Sequence, residues 1–135
     1  MKLLLDTHVF LWAASGDDQM PEQVWDILQA GENQLLVSAA SIWEMAVKGS
    51  EGHGRLQWNT KRKPEDPESW IERMGADVLP IMPRHAAGTW QLRHWAHKDP
   101  FDRMLAAQAI AERATLVTAD KALQQLPGLL WFWRQ

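Results

Sequence analysis

Four acidic residues stand where a divalent cation could use them. Asp6 directly follows Leu3-Leu4-Leu5, Glu44 closes Ser41-Ile42-Trp43-Glu44, Asp102 lies in Asp99-Pro100-Phe101-Asp102-Arg103, and Asp120 follows Leu116-Val117-Thr118-Ala119. Two of them follow apolar runs that read as strands, and two lie near the starts of helices. If the strands run parallel, all four carboxylates emerge at one edge of the sheet. Converging carboxylates repel one another and raise each other's pKa values. A hard divalent ion removes that penalty, and an all-oxygen donor set suits Mg²⁺ or Mn²⁺. Such an ion lowers the pKa of a bound water and stabilises charge on a phosphoryl oxygen. The reaction class that follows is hydrolysis of a phosphodiester.

Each acid also has a purely structural reading. Asp6 and Asp120 are placed to cap the helices that follow them. Ser41-x-x-Glu44 has the form of a capping box, and Asp102 is a favourable first-turn acid near a helix dipole. What favours the chemical reading is that all four occupy topologically equivalent places. Asp99 lies three residues before Asp102 with Pro100 between them. It reads as a cap or turn residue that approaches the site, with Asp102 preferred as the ligand.

The elements that must position these acids alternate along the chain. Lys2–Leu5, Gln34–Val37, Asp77–Ile81, Thr115–Thr118 and Leu129–Trp133 read as strands. Helices are expected over Thr7–Ala14, Pro21–Ala30, Ser41–Lys48, Pro67–Met74, Pro83–Arg93, Asp102–Arg113 and Lys121–Leu126, several of them opened by proline or closed by glycine. The alternation predicts an α/β fold: a three-layer α/β/α sandwich around a mostly parallel sheet. Ligands of such sheets bind beyond the carboxyl ends of the strands, near a switch in strand order.

Length and composition are consistent with this. The 135 residues fit one domain spanning 1–135. There is no cysteine, so thiolate metal sites and disulfides are excluded, and a reducing, cytoplasmic setting is expected. No apolar run reaches the length of a membrane span, and Met1–Leu5 is too short for a signal-peptide core. A net charge of −3 argues against wrapping nucleic acid by bulk charge. With four acids committed to a metal, however, the remainder of the chain is slightly positive. Nine tryptophans divide between core and partner surface in a way that sequence does not sort. The stretch Gly49–Pro67, with three glycines, two prolines and a basic run, reads as a long loop within the domain.

These residues resemble the PIN-domain family. The likeness is carried by Leu3-Leu4-Leu5-Asp6-Thr7-His8, by Ser41-Ile42-Trp43-Glu44, by Asp99-Pro100-Phe101-Asp102-Arg103 with its continuation Met104-Leu105-Ala106-Ala107-Gln108-Ala109, and by Leu116-Val117-Thr118-Ala119-Asp120. Their order and spacing match across nearly the whole chain. The resemblance implies acids at the carboxyl edge of a parallel sheet and Mg²⁺- or Mn²⁺-dependent endoribonuclease activity. By position, Asp6, Glu44 and Asp102 match the family's three main acids and Asp120 its less constant fourth. Thr7 matches a small polar residue beside the first acid, and Thr118 the hydroxyl before the last. The compact size and the Asp-Pro-Phe-Asp-Arg stretch are similar to VapC-type toxins. That likeness implies an RNA substrate, a homodimer and a cognate antitoxin protein. One departure is residues 49–67, longer than a minimal member of the family requires.

Other residues compete for a role. His94 and His97 have the spacing of a metal pair, though histidines so spaced are more often surface or hydrogen-bonded structural groups, and the oxygen site disfavours zinc. His8 reads as packing on the first helix or touching substrate. Arg55, Lys61, Arg62 and Lys63 with Trp58 form either a solvated loop or a track for single-stranded RNA. Arg103 stands to contact a phosphate or to pair with the acids, and Arg93, His94, Lys98 and Arg103 together suggest a basic rim. Trp12, Trp131, Phe132 and Trp133 belong to the core or to a partner interface. A haloacid-dehalogenase-like phosphatase would need Asp-x-Asp after the first strand, where position 8 is His. A signalling receiver lacks its acidic pair here. A non-catalytic RNA-binding or antitoxin-binding module would have no need of four acids around a metal.

Overall fold

The computed structural model describes residues 1–50 and 66–135. Its strands are β1 (Lys2–Leu5), β2 (Gln34–Ser38), β3 (Asp77–Leu79), β4 (Thr115–Val117) and β5 (Trp131–Phe132). They form one sheet in the order β3-β2-β1-β4-β5, and every pairing is parallel. The helices are α1 (Thr7–Ser15), α2 (Glu22–Gln29), α3 (Ala39–Ser50), α4 (Pro67–Arg73), α5 (Pro83–Gly88), α6 (Pro100–Glu112) and α7 (Lys121–Gln124), with a 3₁₀ turn over Thr89–Leu92. The α/β class and the parallel sheet expected from the alternation are both present.

Side-chain alternation along the strands explains the layering. Leu3 and Leu5 share one apolar cluster with Leu35, Val37 and Val117, and with Val9, Phe10, Val24, Met45 and Ile71 from α1 to α4. Leu4, Leu36 and Leu116 point the other way, onto Leu105, Ala106 and Ala109 of α6 and Leu123 of α7. Successive strand residues face opposite sides, so a run of three leucines suits only a strand with helices on both faces. Leu3, Leu4 and Leu5 are accordingly all fully buried. The alanines of α6 bring that helix close to the sheet. Its Gln108 is fully buried, where it accepts from Ser38 Oγ (2.5 Å) and donates to the Pro80 carbonyl (3.3 Å). The polar side chain thereby ties α6 to the end of β2.

Several boundaries differ from the sequence reading. The helix expected over Pro83–Arg93 ends at Gly88 and tightens into the 3₁₀ turn. The helix expected from Asp102 begins at Pro100, because Asp99 caps it: Asp99 Oδ1 accepts from the backbone of Phe101 (2.9 Å) and Asp102 (3.2 Å). It closes without glycine, on Arg113 in the left-handed region at φ 53°. α1, by contrast, ends on Gly16 at φ 69°, whose N–H returns to the Trp12 carbonyl, a C-cap that favours glycine. α3 starts two residues before Ser41 and runs past Gly49. Residues 51–65, which include Arg55, Trp58, Lys61, Arg62 and Lys63, lie outside the described residues.

Strand order reverses beside β1. The chain steps from β1 to β2 to β3 on one side, then returns to place β4 on the other. The crevice at such a switch is where parallel α/β sheets bind ligands. Here it lies between the ends of β1 and β4, where Asp6 N–H donates to the Val117 carbonyl at 3.0 Å. No helix among the described residues is long and apolar enough to cross a membrane.

Candidate metal centre

The crevice begins with Asp6, which is almost wholly buried. One carboxylate oxygen caps α1 by accepting from Thr7 N–H (2.7 Å), and the other accepts from Thr118 Oγ1 (2.7 Å). Burial pushes its pKa up. The Thr118 and Thr7 hydrogen bonds and the nearby His8 pull it down, and the charge of Glu44 pushes it up again. Thr118 also accepts from Asp120 N–H at 3.0 Å. A single hydroxyl thus joins the acid after β1 to the acid after β4. Asp120 in turn caps α7, its Oδ1 accepting from Ala122 N–H (2.8 Å). The capping and site readings are therefore not exclusive: Asp6 and Asp120 each cap a helix with Oδ1, and the second oxygen of Asp6 is turned to Thr118.

Glu44 enters from α3 and is also buried. Lys48, one helical turn later, donates to it at 2.5 Å and lies 3.6 Å from Asp99 Oδ2. Burial disfavours the charged lysine, yet Glu44, Asp99 and Asp102 outweigh that and raise its pKa. The capping box expected over Ser41-x-x-Glu44 is not formed. Because α3 starts at Ala39, Ser38 Oγ accepts from Ala40 N–H (2.9 Å) near its start, whereas Ser41 Oγ accepts from Thr7 Oγ1 (2.9 Å). Thr7 thereby fixes the start of α1 against the start of α3.

Asp102 stands in the first turn of α6 with its side chain 13 % exposed. Its Oδ2 lies 2.6 Å from His97 Nε2. Burial raises its pKa most; the His97 contact lowers it, and the charges of Asp6, Asp99 and Asp120 raise it further, to about 7. One ligand atom from each of His97, Asp102 and Asp120 lies within 4.8 Å of the others. Arg103 faces elsewhere. Its Nε, Nη1 and Nη2 donate to the carbonyls of His97 (2.9 Å), Leu92 (2.8 Å) and Trp95 (2.5 Å). The sequence reading had it on a phosphate or paired with the acids; instead it holds the segment that leads into α6. His94 is exposed and His97 is turned to Asp102, so the two do not act as a pair.

The arrangement suits a divalent cation. Burial and three negative neighbours disfavour the ionised form of Asp102, a penalty that a dication would relieve. Of the four acids singled out in the sequence, Asp102 and Asp120 group with His97; Asp6, joined to Asp120 through Thr118, and Glu44, paired with Lys48, lie outside that group. The sequence singles out His97 only as a partner of His94, and it does not single out Lys48. Lys48 is legible in hindsight as an i,i+4 partner of Glu44 on one helix face. His97 reaches Asp102 through an irregular segment whose path no periodicity announces.

A family model described as PIN domain matches residues 3–129 of the chain. No curated protein matches it. Among solved structures, VapBC2 from Rickettsia felis bound to a DNA fragment from their promoter is similar, with a TM-score of 0.74 and 20 % identity over 99 % of this chain and 100 % of that one. VapBC-1 from nontypeable Haemophilus influenzae gives 0.72 and 19 %, over 98 % and 97 % of the two chains. FitAcB from Neisseria gonorrhoeae gives 0.68 and 23 %, over 96 % of each.

Proposed function

The chain belongs to the PIN-domain family, and from that premise we propose that it is a divalent-metal-dependent endoribonuclease, the toxin of a toxin–antitoxin pair. The observation that carries the nuclease reading is the grouping of Asp102, Asp120 and His97 at the strand-order switch, where burial and neighbouring acids raise the pKa of Asp102. A bound Mg²⁺ or Mn²⁺ would supply a water of lowered pKa and offset the charge that develops on a phosphoryl oxygen. Asp6, Asp102 and Asp120 would hold the ion. Glu44 adds a further carboxylate, its charge balanced by Lys48. Thr118 keeps Asp6 and Asp120 in register, and Thr7 does the same for α1 and α3.

A groove lined by the sequence neighbours of Asp120 offers a place for substrate. Trp12, Trp133, Gln124 and Lys121 line it, as does Ala119, so the residues on either side of Asp120 both face it. His8, Trp12 and Trp133 form a row with ring centroids 6.0 and 5.9 Å apart. Aromatic faces beside a lysine suit the bases and phosphates of single-stranded RNA. The toxin assignment rests on the fold likeness to VapBC and FitAcB chains. It carries with it a cognate antitoxin partner, a homodimer and a cytoplasmic setting.

Cleavage of an end-labelled RNA of mixed sequence tests the proposal. Cutting is expected with Mg²⁺ or Mn²⁺ and is abolished by EDTA. Asp6→Asn is expected to lower the rate more than about 100-fold, beyond the range typical of residues that only support a metal ligand. Tight RNA binding without cutting at any metal concentration would overturn the nuclease reading in favour of a binding module.

A further inference from the structure

We propose that His97 is a nitrogen ligand of this centre and biases it toward Mn²⁺ over Mg²⁺. The inference rests on the reading that the acids hold a divalent ion. It starts from geometry: the imidazole Nε2 lies 2.6 Å from Asp102 Oδ2, and the two group with a carboxylate oxygen of Asp120 within 4.8 Å. The ring nitrogen thus faces acids from two elements, the first turn of α6 and the end of β4. Octahedral ions with bonds near 2.1 Å place adjacent ligand atoms about 3 Å apart and opposite ones about 4.2 Å apart. The three groups need only small adjustments to meet those values.

The ring is presented rather than merely nearby. Arg103 donates to the carbonyls of Leu92, Trp95 and His97, which fixes the backbone on both sides of the turn. Trp95 packs against the imidazole with ring centroids 5.0 Å apart, and the Arg103 guanidinium lies 5.7 Å from the Trp95 ring. The adjacent pair Asp102 and Arg103 therefore does two things at once: the acid meets the ring, and the arginine holds the backbone that carries it. An ion held by Nε2 and Oδ2 would stand in place of the hydrogen bond between them.

The consequence is selectivity. Mg²⁺ dehydrates reluctantly and gains little from an imidazole. A first-row transition ion gains more from a nitrogen donor. The test is titration of Mn²⁺ into the metal-free full chain, followed by electron paramagnetic resonance, with spin-echo modulation to detect a coordinated nitrogen and Mg²⁺ as competitor. The wild type is expected to bind Mn²⁺ with ¹⁴N modulation. His97→Gln is expected to keep its far-ultraviolet circular dichroism, lose the modulation and bind Mn²⁺ about 10-fold more weakly, with Mg²⁺ affinity nearly unchanged. Bound Mn²⁺ without ¹⁴N modulation, or unaltered Mn²⁺ affinity in His97→Gln, would overturn the role of His97 alone. A wild type that takes up no Mn²⁺ would overturn the metal-centre reading and this inference together.

Discussion

Thr118 joins the two acids that end β1 and β4 through one buried hydroxyl, which donates to Asp6 and accepts from the Asp120 backbone. Thr118→Val keeps the shape and removes both bonds, leaving Asp6 buried with one partner fewer. A loss of about 1–3 kcal/mol in urea unfolding is expected, together with a further rise in the Asp6 pKa. Asp102 makes a second prediction, concerning pH. Its folded pKa of about 7 lies above its ordinary value of 3.8. The protonated form is therefore the one the fold favours. The stability it contributes is fully present below pH 4 and is lost as pH rises through 7. Asp6, also shifted upward, acts in the same direction. Thermal unfolding in EDTA is expected to show a lower midpoint at pH 8.5 than at pH 5.5. Asp102→Asn should flatten most of that difference, and an equal slope in the variant would count against the assignment.

Among the elements, α6 does most to shape the site, because its first turn carries Asp102, its cap is Asp99, and its Arg103 fastens the segment from Leu92 to His97. Arg103→Lys cannot reproduce three separate donations from one planar group. It is expected to cost about 1.5–3 kcal/mol and to speed amide hydrogen exchange in residues 92–98, while β1 exchanges as before; unchanged exchange there would show that the guanidinium is not what holds the turn. Much of this architecture was legible in the sequence. The leucine run before Asp6 and the Leu-Val pair after Thr115 announced buried strands, and an acid within three residues of each announced the sheet edge. What stayed hidden has physical causes. Ser41 looked like a cap because its spacing to Glu44 is right, but α3 starts earlier, at Ala39, and the hydroxyl turns to Thr7. The path from Leu92 to His97 is set by tertiary hydrogen bonds from Arg103, which local propensity does not encode. Gln108 falls in the apolar pattern of α6 by spacing, and only its partners on β2 and Pro80 explain why a polar side chain belongs there.

For the molecule as a whole, the net charge of −3 and the acids at the strand-order switch fit together once a dication is counted with the protein. The overall charge then says little about whether the chain meets RNA. The groove beside Asp120 and the aromatic row from His8 to Trp133 supply contact that bulk charge does not. Exposed Trp90, Ile110 and Met82, on or beside α5 and α6, lie on the opposite side of the sheet from Trp12 and leave apolar surface for the proposed protein partners. All of this depends on carboxylates distant in sequence sharing one ion. The most direct measurement is a crystal of the full chain grown with Mn²⁺, with anomalous scattering collected at the manganese edge. The expected result is a peak bonded to oxygens of Asp6, Asp102 and Asp120 and to the His97 imidazole. Ordered density for these side chains with no anomalous peak among them, at saturating Mn²⁺ and pH above 7, would contradict the account.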